Sequence, residues 1–173
     1  MKNDVVKRIV IILLLVCVLI PVINAANFAF ADENEYYIIC KPESEVNVRE
    51  SAKLKSKIVA CVFFGQKVIS DGKEKNGFVH VVGLCAESDN GWIYKGLLAR
   101  DRPIASEGYA QVFKAENVAC RKYASTDSKV LKRLSAGTNV KVYAISEEWC
   151  VTEYGFIMTE FLTLNAPVRG SSP

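Results

Sequence analysis

The sequence predicts an all-β protein built from two small antiparallel barrels in tandem, preceded by a helical signal segment. Three observations support this prediction. A pattern repeats within the chain, each copy consists of short strands separated by turn residues, and neither copy contains an amphipathic helix of useful length. Closing a small sheet into a barrel removes the strand edges that a unit of this size could not otherwise hide.

An internal repeat is the clearest feature of the chain. The segment Val-Asn-Val-Arg at 46–49 recurs 72 residues later as Val-Ala-Cys-Arg at 118–121. Further on, Gly-Trp-Ile at 91–93 matches Gly-Phe-Ile at 155–157 at an offset of 64, so the second copy lacks eight residues between these blocks. A self-match that keeps its register over such a length predicts two structurally equivalent units.

The repeat and the turn residues set the domain boundaries. We expect the first barrel at 36–99 and the second at 109–164, joined by a linker at 100–108 that contains a proline and a glycine. The Pro, Gly and Ser content of 165–173 is typical of a flexible tail. Within the first unit, three dipeptides predict turns between strands: Asp71-Gly72, Asn76-Gly77 and Asn90-Gly91.

The N-terminus has the features of a secretory signal peptide at 1–31. Three basic residues precede an apolar run at 9–23, and Ala-Phe-Ala at 29–31 predicts cleavage before Asp32. The run is short for a membrane span, which needs roughly 20 apolar residues. We therefore expect a secreted or cell-envelope protein, outside the cytoplasm. The alternative is an uncleaved anchor, and only then would the chain attach to a membrane.

The charge balance argues against nucleic acid as a partner. Removal of residues 1–31 leaves 19 Lys and Arg against 18 Asp and Glu, a net charge of +1. A protein that holds a phosphate backbone needs a clear surplus of basic residues. The mature chain has no such surplus.

Several short motifs resemble those of the bacterial SH3 (SH3b) domain. In the first unit these are Val-Asn-Val-Arg at 46–49, Ser-Lys-Ile-Val at 56–59, Gly65, Gly-Trp-Ile at 91–93 and Leu-Leu at 97–98. The second unit is similar through Ser-Lys-Val-Leu at 128–131, Leu134, Gly137-Thr138, Trp149 and the run at 155–162. Together the resemblances cover about residues 36–164. The departures include Ala119-Cys120, where the first unit has Asn47-Val48.

The resemblance implies a fold and a class of function. It implies two SH3-like barrels in an exported protein, without an attached catalytic domain, that binds a cell-wall component. We expect this component to be the peptide part of peptidoglycan. The alternative is an envelope module that grips another surface protein in order to scaffold or regulate it.

The residues supply little for catalysis. A cysteine hydrolase needs a thiol and an oriented histidine, and the only histidine, His80, lies in a strand pattern between Val79 and Val81. Cys61 or Cys85 could reach it in principle, but a histidine on a strand face is far more often structural or solvated. The cysteine spacings also contain no Cys-x-x-Cys pair. We predict a non-enzyme with no metal and no cofactor.

Five cysteines remain after cleavage, an odd number that leaves at least one thiol unpaired in a monomer. By repeat register, Cys120 takes the place of Val48 and should be buried, whereas Cys61 takes the place of Arg133 and should face solvent. Cys85 lies in the extra segment of the first unit. Our preferred disulfide is Cys61–Cys85, although connectivity cannot be deduced from sequence. A third reading is a thiol protein that forms a mixed disulfide or a dimer.

The aromatic candidates for ligand contact come from the same comparison. Phe63 and Phe64 replace small residues of the second unit, and successive strand side chains point to opposite faces, so one ring should be exposed. We favour a contact between the barrels over a ligand groove for this pair. Tyr123, which replaces Ser51 in a long loop, is the best single ligand candidate. Tyr94 and Tyr154 are weaker ones, and Trp92 and Trp149 fall at positions that usually serve packing.

Arg49 and Arg121 recur at equivalent positions of the two units. A guanidinium fork would suit a bound carboxylate, such as the end of a stem peptide. An arginine at such a position more often ties its loop to a backbone carbonyl, and both readings stay open from the sequence.

Overall fold

The computed structural model describes residues 34–84, 88–113 and 115–164. These residues form an all-β structure of two antiparallel sheets, with two single-turn 3-10 helices at Lys95–Leu97 and Thr159–Phe161. The predicted signal peptide at 1–31 and tail at 165–173 lie outside the described residues, as does Cys85. No helix in the described ranges is long and apolar enough to cross a membrane.

The first sheet contains seven strands. In chain order they are β1 Glu35–Ile38, β2 Glu45–Arg49, β3 Ile58–Phe63, β4 Lys67–Lys75, β5 Phe78–Val82, β6 Asn90–Tyr94 and β7 Leu98–Ala99. Their order in space is β3-β2-β6-β5-β4-β1-β7. The 3-10 helix at Lys95–Leu97 connects β6 to β7.

The second sheet repeats this arrangement. Its strands are β8 Ile104–Ala105, β9 Tyr109–Val112, β10 Val118–Arg121, β11 Val130–Leu134, β12 Asn139–Ile145, β13 Trp149–Thr152, β14 Gly155–Met158 and β15 Leu162–Leu164. The order is β11-β10-β14-β13-β12-β9-β15, the same as in the first sheet, with β8 added beside β12. The sequence repeat therefore corresponds to a repeat of topology.

Alternating burial explains why these segments form strands. In β2 the two valines are buried and their neighbours are exposed, and in β12 Val140, Val142 and Ala144 are buried on one face. Each sheet has its own apolar cluster built from such positions. A third cluster joins the sheets and contains Ile39, Ala144, Trp149, Val151 and Phe156.

Two of the predicted turns, Asp71-Gly72 and Asn90-Gly91, are wrong. The predicted linker at 100–108 contains β8, which pairs with β12 through Ile104 and Ala105. Asp71-Gly72 does not end a strand; it forms a bulge inside β4, where the register shifts between Ser70 and Glu74. Asn76-Gly77 does make the predicted turn, because both residues adopt the positive φ of a tight hairpin, 52° and 75°.

Asn90-Gly91 is also not a turn, since both residues belong to β6. The glycine serves close strand approach instead. A Cβ at Gly91 would lie 2.9 Å from the carbonyl oxygen of Arg49 and 2.5 Å from a methyl group of Val48. Gly155 has the same role in the second sheet, where a Cβ would overlap the carbonyl oxygen of Arg121.

Candidate binding groove at the junction of the two sheets

The loop after β10, residues 122–129, packs against the end of the first sheet. The Tyr123 ring lies 4.5 Å from the Tyr94 ring, centroid to centroid, and the Ala124 amide donates a hydrogen bond to the Gly96 carbonyl oxygen at 2.9 Å. A Cβ at Gly96 would lie only 2.7 Å from the Cβ of Tyr123. The approach therefore depends on a glycine in the 3-10 helix at Lys95–Leu97.

A groove of about 690 Å³ lies beside this contact. Its walls come from the first sheet, from the loop at 124–127 and from the end of the second sheet. The lining residues are Gly77, Tyr94, Lys95, Gly96, Ala124, Ser125, Thr126, Asp127, Glu147, Glu148, Trp149, Met158 and Glu160. A smaller cavity of about 270 Å³ shares part of this wall, including Trp149, and reaches Tyr36 and Arg100.

The groove carries an excess of negative charge. Four exposed carboxylates line it: Asp127, Glu147, Glu148 and Glu160. No ion pair in the described part of the chain involves any of the four. The one cation on the wall, Lys95, already bonds both carboxylate oxygens of Glu74, at 2.9 and 2.8 Å. The excess negative charge of the groove is therefore available to solvent or to a ligand.

Trp149 forms the apolar part of the groove wall. Its side chain is only 7% exposed, and its backbone is fixed by Ser146, which accepts a hydrogen bond from the Trp149 amide at 3.2 Å. The indole N–H makes no hydrogen bond to a described residue, but its nitrogen keeps some exposure to solvent. Both cavities are lined by Trp149, so a ligand in either one would lie close to this residue.

The corresponding surface of the first sheet is covered, and equivalent positions show why. The amide of Lys95 bonds the Gly77 carbonyl at 2.8 Å, and the amide of Thr159 bonds the Glu148 carbonyl at 2.9 Å. Strand register and 3-10 helices then give four pairs: Gly77 with Glu148, Phe78 with Trp149, Tyr94 with Met158, and Gly96 with Glu160. Gly96, which admits the Tyr123 loop, becomes Glu160 in the second sheet, and the turn glycine Gly77 becomes Glu148.

The aromatic candidates from the sequence are placed as follows. Tyr123 and Tyr94 lie together at the junction, so Tyr123 does not stand free on its loop. Phe64 is half-buried and contacts both the first cluster and the one that joins the sheets. Phe63 points the other way and is 54% exposed. Tyr154 lies away from the groove, with the Lys132 ammonium 3.8 Å above its ring centre.

Arg49 and Arg121 tie loops rather than line the groove. Arg49 donates to the Ser56 carbonyl oxygen at 2.8 Å, and Arg121 donates to that of Ser128 at 2.9 Å. The equivalent serine hydroxyls accept from the amides of Ser51 and Tyr123. Both guanidinium groups thus hold their loops, as one of the two readings predicts, and the carboxylate-binding role stays a prediction.

None of the four described cysteines, Cys40, Cys61, Cys120 and Cys150, forms a disulfide with another described residue. Cys61 is exposed and the other three are buried, Cys120 in the same core place as Val48. Burial raises the pKa of Cys40 and of Cys120 to about 11. The pairing of Cys61 with Cys85 stays a prediction, because Cys85 lies outside the described residues.

His80 lies on the first sheet, away from the groove. Its Nδ1 is 3.0 Å from a carboxylate oxygen of Asp71 but outside hydrogen-bonding geometry, and its ring packs on Trp92 at 4.9 Å. The Lys73 ammonium is the main cause that lowers the pKa of Asp71 to about 2, with His80 adding to it. Among the described residues, no group of three metal-ligating side chains could hold an ion.

Trp149, Glu147 and Glu148 were not predicted from the sequence as groove residues. Trp149 was expected to serve packing. The signal that could have found them is the repeat itself. Aligning the turn Glu147-Glu148 with Asn76-Gly77 would have shown a glycine replaced by an acid beside a tryptophan.

The comparisons with known proteins are sparse. The chain matches no protein-family model and no curated protein. NlpC2 from Trichomonas vaginalis has 18% sequence identity and a TM-score of 0.31, over 83% of this chain and 52% of that one. NlpC1 from the same organism has 18% identity and a TM-score of 0.31, over 84% and 51%. The chain spans about half the length of these structures, and so distant a likeness carries no argument about function.

Proposed function

We propose that this is an exported, non-catalytic protein in which two SH3b-like barrels recognise a cell-wall component, the peptide part of peptidoglycan. The barrel assignment rests on the sequence motifs together with the seven-strand order that both sheets share. The observation that carries the binding proposal is the groove at the junction, with an indole and unpaired carboxylates on one wall.

The size and chemistry of the groove suit a short peptide. Its volume of about 690 Å³ lies in the range of pockets that bind small ligands, roughly 300–1,000 Å³. The loop at 124–127 supplies Ser125 and Thr126 as polar groups, and Trp149 and Met158 supply apolar surface. Such a wall can hold a peptide backbone by hydrogen bonds while a side chain rests on the indole.

The groove would be formed before the ligand arrives. Ser128 and Arg121 fix the loop after β10, and the Gly96 carbonyl accepts from Ala124 across the junction. A site whose groups are already held in place loses less conformational entropy on binding. The second repeat thus supplies the site, and the first repeat supports one wall of it.

Co-sedimentation of the full chain with purified peptidoglycan over a salt series tests this proposal. We expect retention that weakens but persists as salt rises, because screening affects exposed charges more than the indole and hydrogen-bond contacts. Thr126→Trp should abolish retention by filling the groove. The matched control is Leu54→Trp, at the equivalent loop position of the first repeat, which should leave retention unchanged. A folded protein that never sediments with the wall would refute the proposal.

An envelope protein as partner is the second candidate. The observation that favours it is the apolar outer surface of β3, where Ile58 and Phe63 are exposed beside the Cys61 thiol. β3 also lies at one end of the strand order. No retention on purified peptidoglycan, together with retention on protein-containing cell envelopes that Phe63→Ser abolishes and Thr126→Trp does not, would favour this candidate over the groove.

A further inference from the structure

We propose that the occupant of the groove carries a free amino group, bound as an ammonium by Glu148 and Glu160, next to a hydrogen-bond acceptor that the Trp149 indole N–H reaches. This inference rests on the proposed function, because it names the chemical class that the same groove selects. A peptide with a basic side chain, or with a free N-terminus, supplies both groups.

The first support for an amino group in the ligand is the negative charge of the groove. Its four carboxylates have no cationic partner in the described part of the chain, and Lys95 is already bound by Glu74. These charges attract a cationic ligand and give no such attraction to an anionic or neutral one. A ligand ammonium would compensate one or two of them and donate up to three hydrogen bonds.

The second and independent support for the proposal is the Trp149 indole, which calls for a hydrogen-bond acceptor in the ligand. The side chain is more than nine-tenths buried, and its only polar atom makes no hydrogen bond within the described structure. A donor in this position needs an acceptor, such as a peptide carbonyl or carboxylate. The indole face also attracts cations, so the same residue favours an ammonium near its ring.

The comparison of the repeats shows where the charge comes from. Glu148 and Glu160 take the places of Gly77 and Gly96, and Trp149 takes the place of Phe78, which has no N–H. All three groups that the proposal uses are therefore present in the open repeat and absent from the covered one.

The test compares native peptidoglycan with the same material after N-acetylation of its free amino groups, using the full chain. We expect acetylation to weaken binding by about tenfold or more, the size of one lost charge-assisted hydrogen bond. Glu148→Gln and Glu160→Gln should each lower the affinity for native wall and leave the affinity for acetylated wall unchanged. Glu107→Gln, an exposed carboxylate outside the groove, is the charge-matched control.

A second variant tests the indole. Trp149→Phe keeps the ring, restores the residue type of the first repeat and removes the donor, so we expect a several-fold loss of affinity with a cooperative unfolding transition. If this variant does not fold, the glutamine variants still decide the proposal.

The outcomes separate this inference from the proposed function. Equal binding of native and acetylated wall would overturn the amino-group proposal and leave wall binding intact. Binding of neither wall, with binding of the tripeptide Ala-Lys-Ala, would overturn the wall as ligand and support the amino group. Binding of neither wall and no binding of the tripeptide would overturn both.

Discussion

The two sheets share one strand order but differ at equivalent positions. The first sheet is covered there by a loop, and the second sheet lines a groove. In the first sheet, Gly96 leaves room for the loop that carries Tyr123, and this loop covers that part of the surface. In the second sheet, Glu160 takes the equivalent position and lines a groove, together with Glu148 in the place of the turn residue Gly77. The exchange of Gly96 for Glu160 thus separates a surface that joins the repeats from one that can receive a ligand.

The largest predicted effect comes from giving the first sheet the residue of the second. In Gly96→Glu the new Cβ would meet the Tyr123 Cβ at 2.7 Å and Tyr94 at 3.1 Å. We expect the free energy of unfolding to fall by about 3 kcal/mol, the upper end of the usual cost of overpacking. Urea denaturation measures it. Gly108→Ala is the control, because its Cβ meets only a serine hydroxyl at 3.4 Å; an equal loss there would contradict the close approach.

The adjacent rings Phe63 and Phe64 should differ in their effect on stability. Phe64 contacts the cluster that joins the sheets, whereas Phe63 is mostly exposed. We expect Phe64→Ala to cost about 2 kcal/mol, less than a fully buried phenylalanine, and Phe63→Ala to cost under about 0.5 kcal/mol. Thermal unfolding of the two variants side by side would show the difference. Equal losses would place both rings in the core.

Arg49 and Arg121 should behave alike. Each donates one charge-assisted hydrogen bond to a loop carbonyl. We expect Arg49→Met and Arg121→Met to destabilise the protein by similar amounts, about 1 kcal/mol each. Chemical denaturation measures this. A ligand-binding arginine would instead give a loss of wall affinity with unchanged stability, and that result would restore the carboxylate-binding reading.

The smallest effect concerns Cys120, which occupies the place of Val48. Burial holds the pKa of Cys120 at about 11, above that of a thiol in the unfolded chain, about 8.5. The folded state therefore binds the thiol proton more tightly than the unfolded state. The resulting contribution to the free energy of unfolding is present in full below about pH 8.5 and is lost as the pH rises towards 11. Cys120→Val should gain stability relative to the natural protein between pH 8.5 and 10.5. A difference independent of pH would contradict the assigned pKa.

Much of the fold could be predicted from the sequence, because strands and hairpins follow local patterns. The two sheets repeat one strand order, as the sequence repeat predicted, and Asn76-Gly77 makes the predicted turn. Asn90-Gly91 was misassigned, since the glycine serves a close approach to Arg49, which is distant in sequence. β4 continues through a bulge at Asp71-Gly72, although such a dipeptide usually ends a strand.

The candidate site was much harder to predict. Its groove forms where the two repeats meet, and no periodicity within either repeat states how they pack against each other. Tyr123 was selected because it is an aromatic residue in a loop, yet that ring contacts Tyr94. Trp149 was set aside because tryptophans at its motif position usually serve packing. Its indole donor nevertheless has no partner among the described residues.

The most direct test of the account follows the two tryptophan indole N–H signals by NMR during titration with soluble peptidoglycan fragments. The chain has only two tryptophans. Trp149 lines the groove, and Trp92, on the first sheet against His80, serves as an internal control. The account predicts that the Trp149 signal shifts in a saturable way while the Trp92 signal stays in place. A Trp149 signal that does not move while binding occurs would contradict it.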